Sequence, residues 1–61
     1  MKLRIGDKVI VASEGKRNKP QEATANTRGR IEDWKWNMAR VHFENGSMEW
    51  VELTRVYKAV E

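Results

Sequence analysis

Apolar and polar residues alternate along two runs, Ala39 to Phe43 and Met48 to Val51, and the runs are joined through Asn45-Gly46. Alternation at period two marks a half-buried strand, and Asn-Gly is the strongest short-range hairpin signal, because both residues tolerate the positive φ of a type I′ turn. A two-residue turn sets Glu44 opposite Ser47, Phe43 opposite Met48, His42 opposite Glu49 and Val41 opposite Trp50. On that register Val41, Phe43, Met48 and Trp50 form the core face. Arg40, His42, Glu44, Ser47 and Glu49 then meet water.

The same pattern predicts three further strands. Lys8 to Ser13 follows a Gly6-Asp7 turn, with Val9 and Val11 on one side and Ile10 and Ala12 on the other, so that this strand is covered on both faces at one end. Glu14 to Asn26 is polar, contains Gly15, Asn18, Pro20 and Asn26, and reads as a long loop. Within it, Gln21 to Ala25 fits either a short helical turn or an irregular edge strand. Thr27 to Trp34 is the second strand, with Gly29 and Ile31 inward and Arg28, Arg30 and Glu32 outward. For Ile31 to share a face with Ala39 and Val41, the connection must hold an odd number of residues or a bulge. Trp34-Lys35-Trp36 falls at its tip. Glu52 to Arg55 suits one helical turn, and Val56 to Val60 closes the chain as a strand.

Five short strands, a long first loop, a tight third turn and a one-turn helix before the last strand predict an all-β fold, a single small SH3-like barrel spanning residues 1–61. The stretch Gly6-Asp7-Lys8-Val9-Ile10-Val11 followed by Arg28-Gly29-Arg30-Ile31 resembles the KOW pattern of a Gly-Asp-x-Val strand and a Gly-x-apolar strand. Ala39 to Gly46 with Trp50-Val51 is similar to the central hairpin of Tudor-like barrels. The loop after the first strand is longer and less glycine-rich than the KOW pattern, so a ribosomal or transcription-elongation role is not carried over.

Composition narrows the function classes. At 61 residues the chain is near the lower limit for an unaided hydrophobic core. No cysteine is present to staple it or to bind metal as thiolate. The first five residues hold no apolar stretch of signal length, and Val9 to Ala12 is the longest apolar run, so the expectation is a soluble, cytoplasmic protein with no membrane partner. Net charge is +3. It is unevenly spread: residues 1–43 carry ten Lys/Arg against five Asp/Glu, and residues 44–61 carry two against four. If the basic excess survives folding as a face, it attracts anions.

Catalytic chemistry has little to work with. His42 is the lone histidine and is expected outward, facing Glu49, with no serine or threonine at a spacing that demands contact. The acidic residues are scattered and no glycine-rich phosphate loop occurs, so no catalytic residue, cofactor or metal site is assigned and an enzyme is not expected. Nucleic-acid binding has more material. Lys16, Arg17 and Lys19 lie in the long loop, Arg28 and Arg30 on the outer face of the second strand, and Arg40 beside them, a set suited to phosphates without sequence readout. Trp34 and Trp36 flank Lys35 where two large rings need either a barrel end to cap or a base to stack on.

The expected function is therefore a small non-enzymatic module that binds nucleic acid, DNA or RNA, through Lys16, Arg17, Lys19, Arg28, Arg30, Lys35 and Arg40 with Trp34 and Trp36 stacking. The alternative is a protein-binding adaptor or regulator that grips an acidic partner or self-associates through a sheet edge. The Tudor-like resemblance adds a third form, an aromatic pair with Asp33 that holds a methylated lysine or arginine by cation–π contact.

Overall fold

A computed structural model describes residues 3–13 and 24–59. Its elements are β1 (Lys8–Val11), β2 (Arg28–Lys35), β3 (Met38–Phe43), β4 (Met48–Glu52), a 3-10 turn (Leu53–Arg55) and β5 (Val56–Lys58). All pairings are antiparallel and the strand order is β4-β3-β2-β1-β5, a four-strand meander whose first strand also receives the last. The sheet curls around one core, because β1 to β5 each contribute to a single cluster: Val9 and Val11, Ile31, Ala39, Val41 and Phe43, Val51, and Val56. Leu3 and Leu53 pack against its margin. No helix among the described residues is long and apolar enough to cross a membrane.

Local chemistry sets these elements. Gly6 takes φ 94° in a turn closed by Asp7 N–H donating to Arg4 O at 3.0 Å, and Arg4 N–H returns a bond to Asp7 Oδ2 at 2.9 Å. That turn is stitched to β2 by Gly6 N–H to Ile31 O at 2.7 Å. β1 buries Val9 and Val11 and half-buries Ile10, and Ala12 just beyond it is buried too, matching the two-sided covering expected there. β2 buries Gly29 and Ile31 and exposes Arg28, Arg30 and Glu32. Gly29 is required by space: a Cβ there would meet His42 C and Phe43 Cα at 2.9 Å. The 3-10 turn is held to the end of β1, where Ala12 N–H donates to Arg55 O at 2.8 Å and Arg55 Nε donates to Ala12 O at 2.9 Å.

The β2–β3 connection meets the parity condition through a bulge. Ile31 pairs with Val41 but Asp33 pairs with Arg40, so Glu32 is the extra residue and the hairpin closes over only Trp36 and Asn37. Trp34 and Lys35 are therefore strand residues, and the tip itself is Trp36-Asn37.

The β3–β4 register differs from the expected one by a single residue. His42 pairs with Met48, Arg40 with Trp50 and Ala39 with Val51. The loop holds three residues, Glu44-Asn45-Gly46: Gly46 N–H donates to Phe43 O at 3.0 Å, Phe43 N–H donates to Ser47 O at 2.8 Å, and only Gly46, at φ 93°, has positive φ. This is a type I turn followed by a left-handed bulge glycine, which uses Asn-Gly as readily as a type I′ turn does. Asn45 Oδ1 locks it by accepting from Ser47 N–H at 3.0 Å and Ser47 Oγ at 2.7 Å. The slip turns β4 over. Val51 enters the core, while Met48 and Trp50 lie outward, 47% and 41% exposed.

The long first loop falls largely outside the described residues, at 14–23, together with most of the Gln21 to Ala25 segment. Its last part is a Thr24–Thr27 turn, in which Thr27 N–H donates to Thr24 O at 3.0 Å and Thr24 N–H to Thr27 Oγ1 at 2.9 Å. Thr24 Oγ1 also bonds Asn26 Oδ1.

Candidate functional site

Register partners share a face of the sheet, so the pairings define what the outer surface displays. One row across it is Lys8, Arg30, His42 and Met48. The next, past the bulge, is Asp33, Arg40 and Trp50, and Lys35 with Met38 and Glu52 follows toward the tip. Cationic side chains thus recur along the outer face from β1 to the β2–β3 tip. The rows are continuous in space: an open depression of about 510 Å³ is lined by Lys8, Arg28, Arg30, Glu32 and His42 among others. A neighbouring one of about 340 Å³ is lined by Ile5, Arg30, Glu32 and Arg40 among others, so Arg30 and Glu32 belong to both.

The arginines are in different electrostatic states. Arg28 is engaged: its Nε and Nη2 donate to Glu44 Oε2 and Oε1 at 2.7 and 2.8 Å, a bidentate pair at the surface. That hydrogen bond, with Glu44's charge, raises the Arg28 pKa. The same bond is the main reason the Glu44 carboxyl is held below its usual range, with the charges of Arg28 and Lys8 acting in the same direction and burial against it. Arg30 and Arg40 form no ion pair with any described residue. The Arg40 guanidinium lies 5.9 Å from the Trp50 ring centroid, a cation–π contact, and its shielded Nε has no hydrogen-bond partner among the described residues. Asp33, its register neighbour, turns a carboxylate oxygen to its own strand, accepting from Trp34 N–H at 2.8 Å. His42 faces Met48 across the ladder, and the expected contact with Glu49 is replaced by one from Nδ1 to Glu32 Oε2 at 3.3 Å, on the β2 side.

The aromatic residues divide between positions. Trp34 pairs with buried Ala39 and so sits on the inner side of the β2 end, 45% exposed. Trp36, in the turn, is 91% exposed, and the Lys35 ammonium stands 5.5 Å from its ring centroid. Among the described residues Trp36 is the one non-glycine with positive φ, 57°. Trp34 thus belongs to the inner side of the strand and Trp36 to the turn beyond it.

Of the residues singled out in the sequence, Arg30, Lys35 and Arg40 come together on the outer face with Trp36 at its end. Arg28 borders the same face but is held by Glu44, and Lys16, Arg17 and Lys19 lie outside the described residues. Sequence reasoning missed Lys8, Met48 and Trp50 as members of this face. Lys8 was legible from its alternation with Val9. Trp50 was not, since an apolar residue at alternating spacing reads as core. No three His, Asp or Glu side chains among the described residues converge as a metal site.

Compared with protein-family models, with curated proteins and with solved structures, the chain matches none.

Proposed function

We propose that this chain is a non-enzymatic binding module, an SH3-like barrel that engages nucleic acid through backbone contacts with little sequence specificity. The observation that carries the reading is the outer face on which Lys8, Arg30, Arg40 and Lys35 recur beside the exposed Trp50 ring. Cations spaced along a sheet match a phosphate backbone, and an arginine lying over an indole leaves a flat apolar surface for a base. The meander with β5 returning to β1, and the KOW- and Tudor-like stretches in β1 to β4, support the barrel type. A protein partner is the second reading. It is favoured by β4, a sheet edge whose outer side chains, Met48 and Trp50, are both exposed.

The test is an amide NMR titration of the labelled protein with short single- and double-stranded DNA and RNA at low and near-physiological salt. The expected result is shifts at Lys8, Arg30, Arg40 and the Trp50 indole that weaken with salt. Arg30→Glu should reduce affinity for all sequences alike and lower the salt slope by about 1. An absence of shifts at low salt overturns the proposal and moves the search to a protein partner on β4.

A further inference from the structure

The β2–β3 tip carries two unfavourable features at one residue. Trp36 holds a left-handed φ of 57° at the first central position of a two-residue turn, where glycine normally sits, and it exposes 91% of its surface. A bulky residue persists in such a conformation only where something other than local stability selects it, and such outliers cluster at ligand-contacting positions. Its surroundings narrow the ligand. The Lys35 ammonium, 5.5 Å from the ring centroid, places a cation beside a flat aromatic surface. Lys35 shares the outer side of the sheet with Arg40, and the cationic positions continue from there through Arg30 to Lys8. From Lys35 back to Arg30 is about 16 Å of strand. The tip therefore ends a track of positive charge with an accessible ring.

Resting on the nucleic-acid reading above, we propose that the ligand is single-stranded nucleic acid, whose backbone follows Lys8, Arg30, Arg40 and Lys35 while an unpaired base stacks on Trp36. A duplex keeps its bases stacked on one another and closed to a ring at the end of a hairpin. A single strand turns them outward while its phosphates follow the cations. Trp50, on the same side as Arg40, is a second stacking position further along the track.

The experiment uses the full chain and two probes, a labelled oligothymidine of about 12 nucleotides and a labelled mixed-sequence duplex of similar length, measured by fluorescence anisotropy at low salt. The proposal expects tighter binding of the oligothymidine. Trp36→Ala should weaken it by about tenfold and leave duplex binding unchanged, since stacking on one ring is worth a factor of that order. Trp36→Tyr should restore most of the loss. The Trp36 indole N–H resonance should shift on addition of the oligothymidine. Arg30→Glu should weaken both probes. Because the Trp36 side chain is exposed, the variants should keep the wild-type amide spectrum, which is checked alongside. Unchanged oligothymidine affinity in Trp36→Ala, with Arg30→Glu still weakening it, overturns this inference and leaves the basic-face reading standing. Duplex bound as tightly as the single strand also overturns it. Binding of neither probe at low salt overturns both readings together.

Discussion

The two ends of β3 are built on different terms. At the Gly46 end every part is held. The Glu44 and Asn45 amides donate to Arg28 O and Ala25 O at 2.9 and 3.0 Å, Arg28 clasps Glu44, Asn45 caps Ser47, and Gly29 lets β2 approach the His42–Phe43 backbone. The positive φ falls on a glycine, which adopts it without steric cost. At the Trp36 end the positive φ falls on the bulkiest side chain, and that side chain stands in solvent. The tip is anchored by Asn37 O, which accepts from Leu53 N–H at 2.8 Å. One end is shaped for stability. The other carries a ring whose conformation costs stability and whose exposure returns none, which makes it the place where function is to be sought.

Substitutions at the held end should have the largest effects. Gly29→Ala places a Cβ against main-chain atoms that can move only with the strand, so it should destabilise by about 3 kcal/mol, the upper range for overpacking. Urea unfolding measures it, and an unchanged midpoint would mean that β2 and β3 part more easily than their close approach at Gly29 implies. Gly46→Val has open space around the new side chain but a φ of 93° that a β-branched residue resists. It should destabilise by more than about 1 kcal/mol. The pair separates a glycine needed for space from one needed for backbone conformation.

Both glycines also mark how much could be read in advance. The five strands, the inward Val9, Val11, Gly29 and Ile31, and the need for a bulge or odd loop before β3 follow from period-two alternation and parity. The β3–β4 register does not, because Asn-Gly serves two turn types and because Met48 and Trp50 are apolar in either one. What accompanies the three-residue loop is a pair of bonds from the Glu44 and Asn45 amides to Arg28 and Ala25, far earlier in the chain, and no local pattern announces them. The site was legible to a similar depth. Outward Arg30 and Arg40 follow from alternation, but the capture of Arg28 by Glu44, 16 residues away, is a tertiary event. The outward Trp50 depends on the same register.

At the other end the direction of the effect should reverse. Trp36→Gly relieves the left-handed strain, at the cost of greater freedom in the unfolded chain and of the Lys35 contact. The balance should be a stabilisation of about 0.5 kcal/mol, seen as a small rise in melting midpoint, while the proposed oligothymidine stacking should be lost. A fall in the midpoint would show that the ring packs on the protein and supports the turn.

The smallest effect belongs to the exposed Arg28–Glu44 pair, and it is best seen through pH. Glu44 has a folded-state pKa below its ordinary value of 4.5, because it accepts the Arg28 hydrogen bonds. Above the unfolded value the carboxylate is ionised in both states and the pair's contribution is fully present. As pH falls from there through the lowered folded value, the unfolded chain takes up the proton first and the contribution is lost. Other carboxylates titrate in the same window, so wild type must be compared with Glu44→Gln. Between about pH 6 and about pH 3 the wild type should lose slightly more stability than the variant, with the two converging at the acid end. Solvent screening keeps the difference small, and added salt should shrink it further. Parallel curves at all pH values would mean that the hold on the Gly46 end comes from its backbone hydrogen bonds alone, and that the ion pair serves chiefly to keep Arg28 from the rest of the basic face.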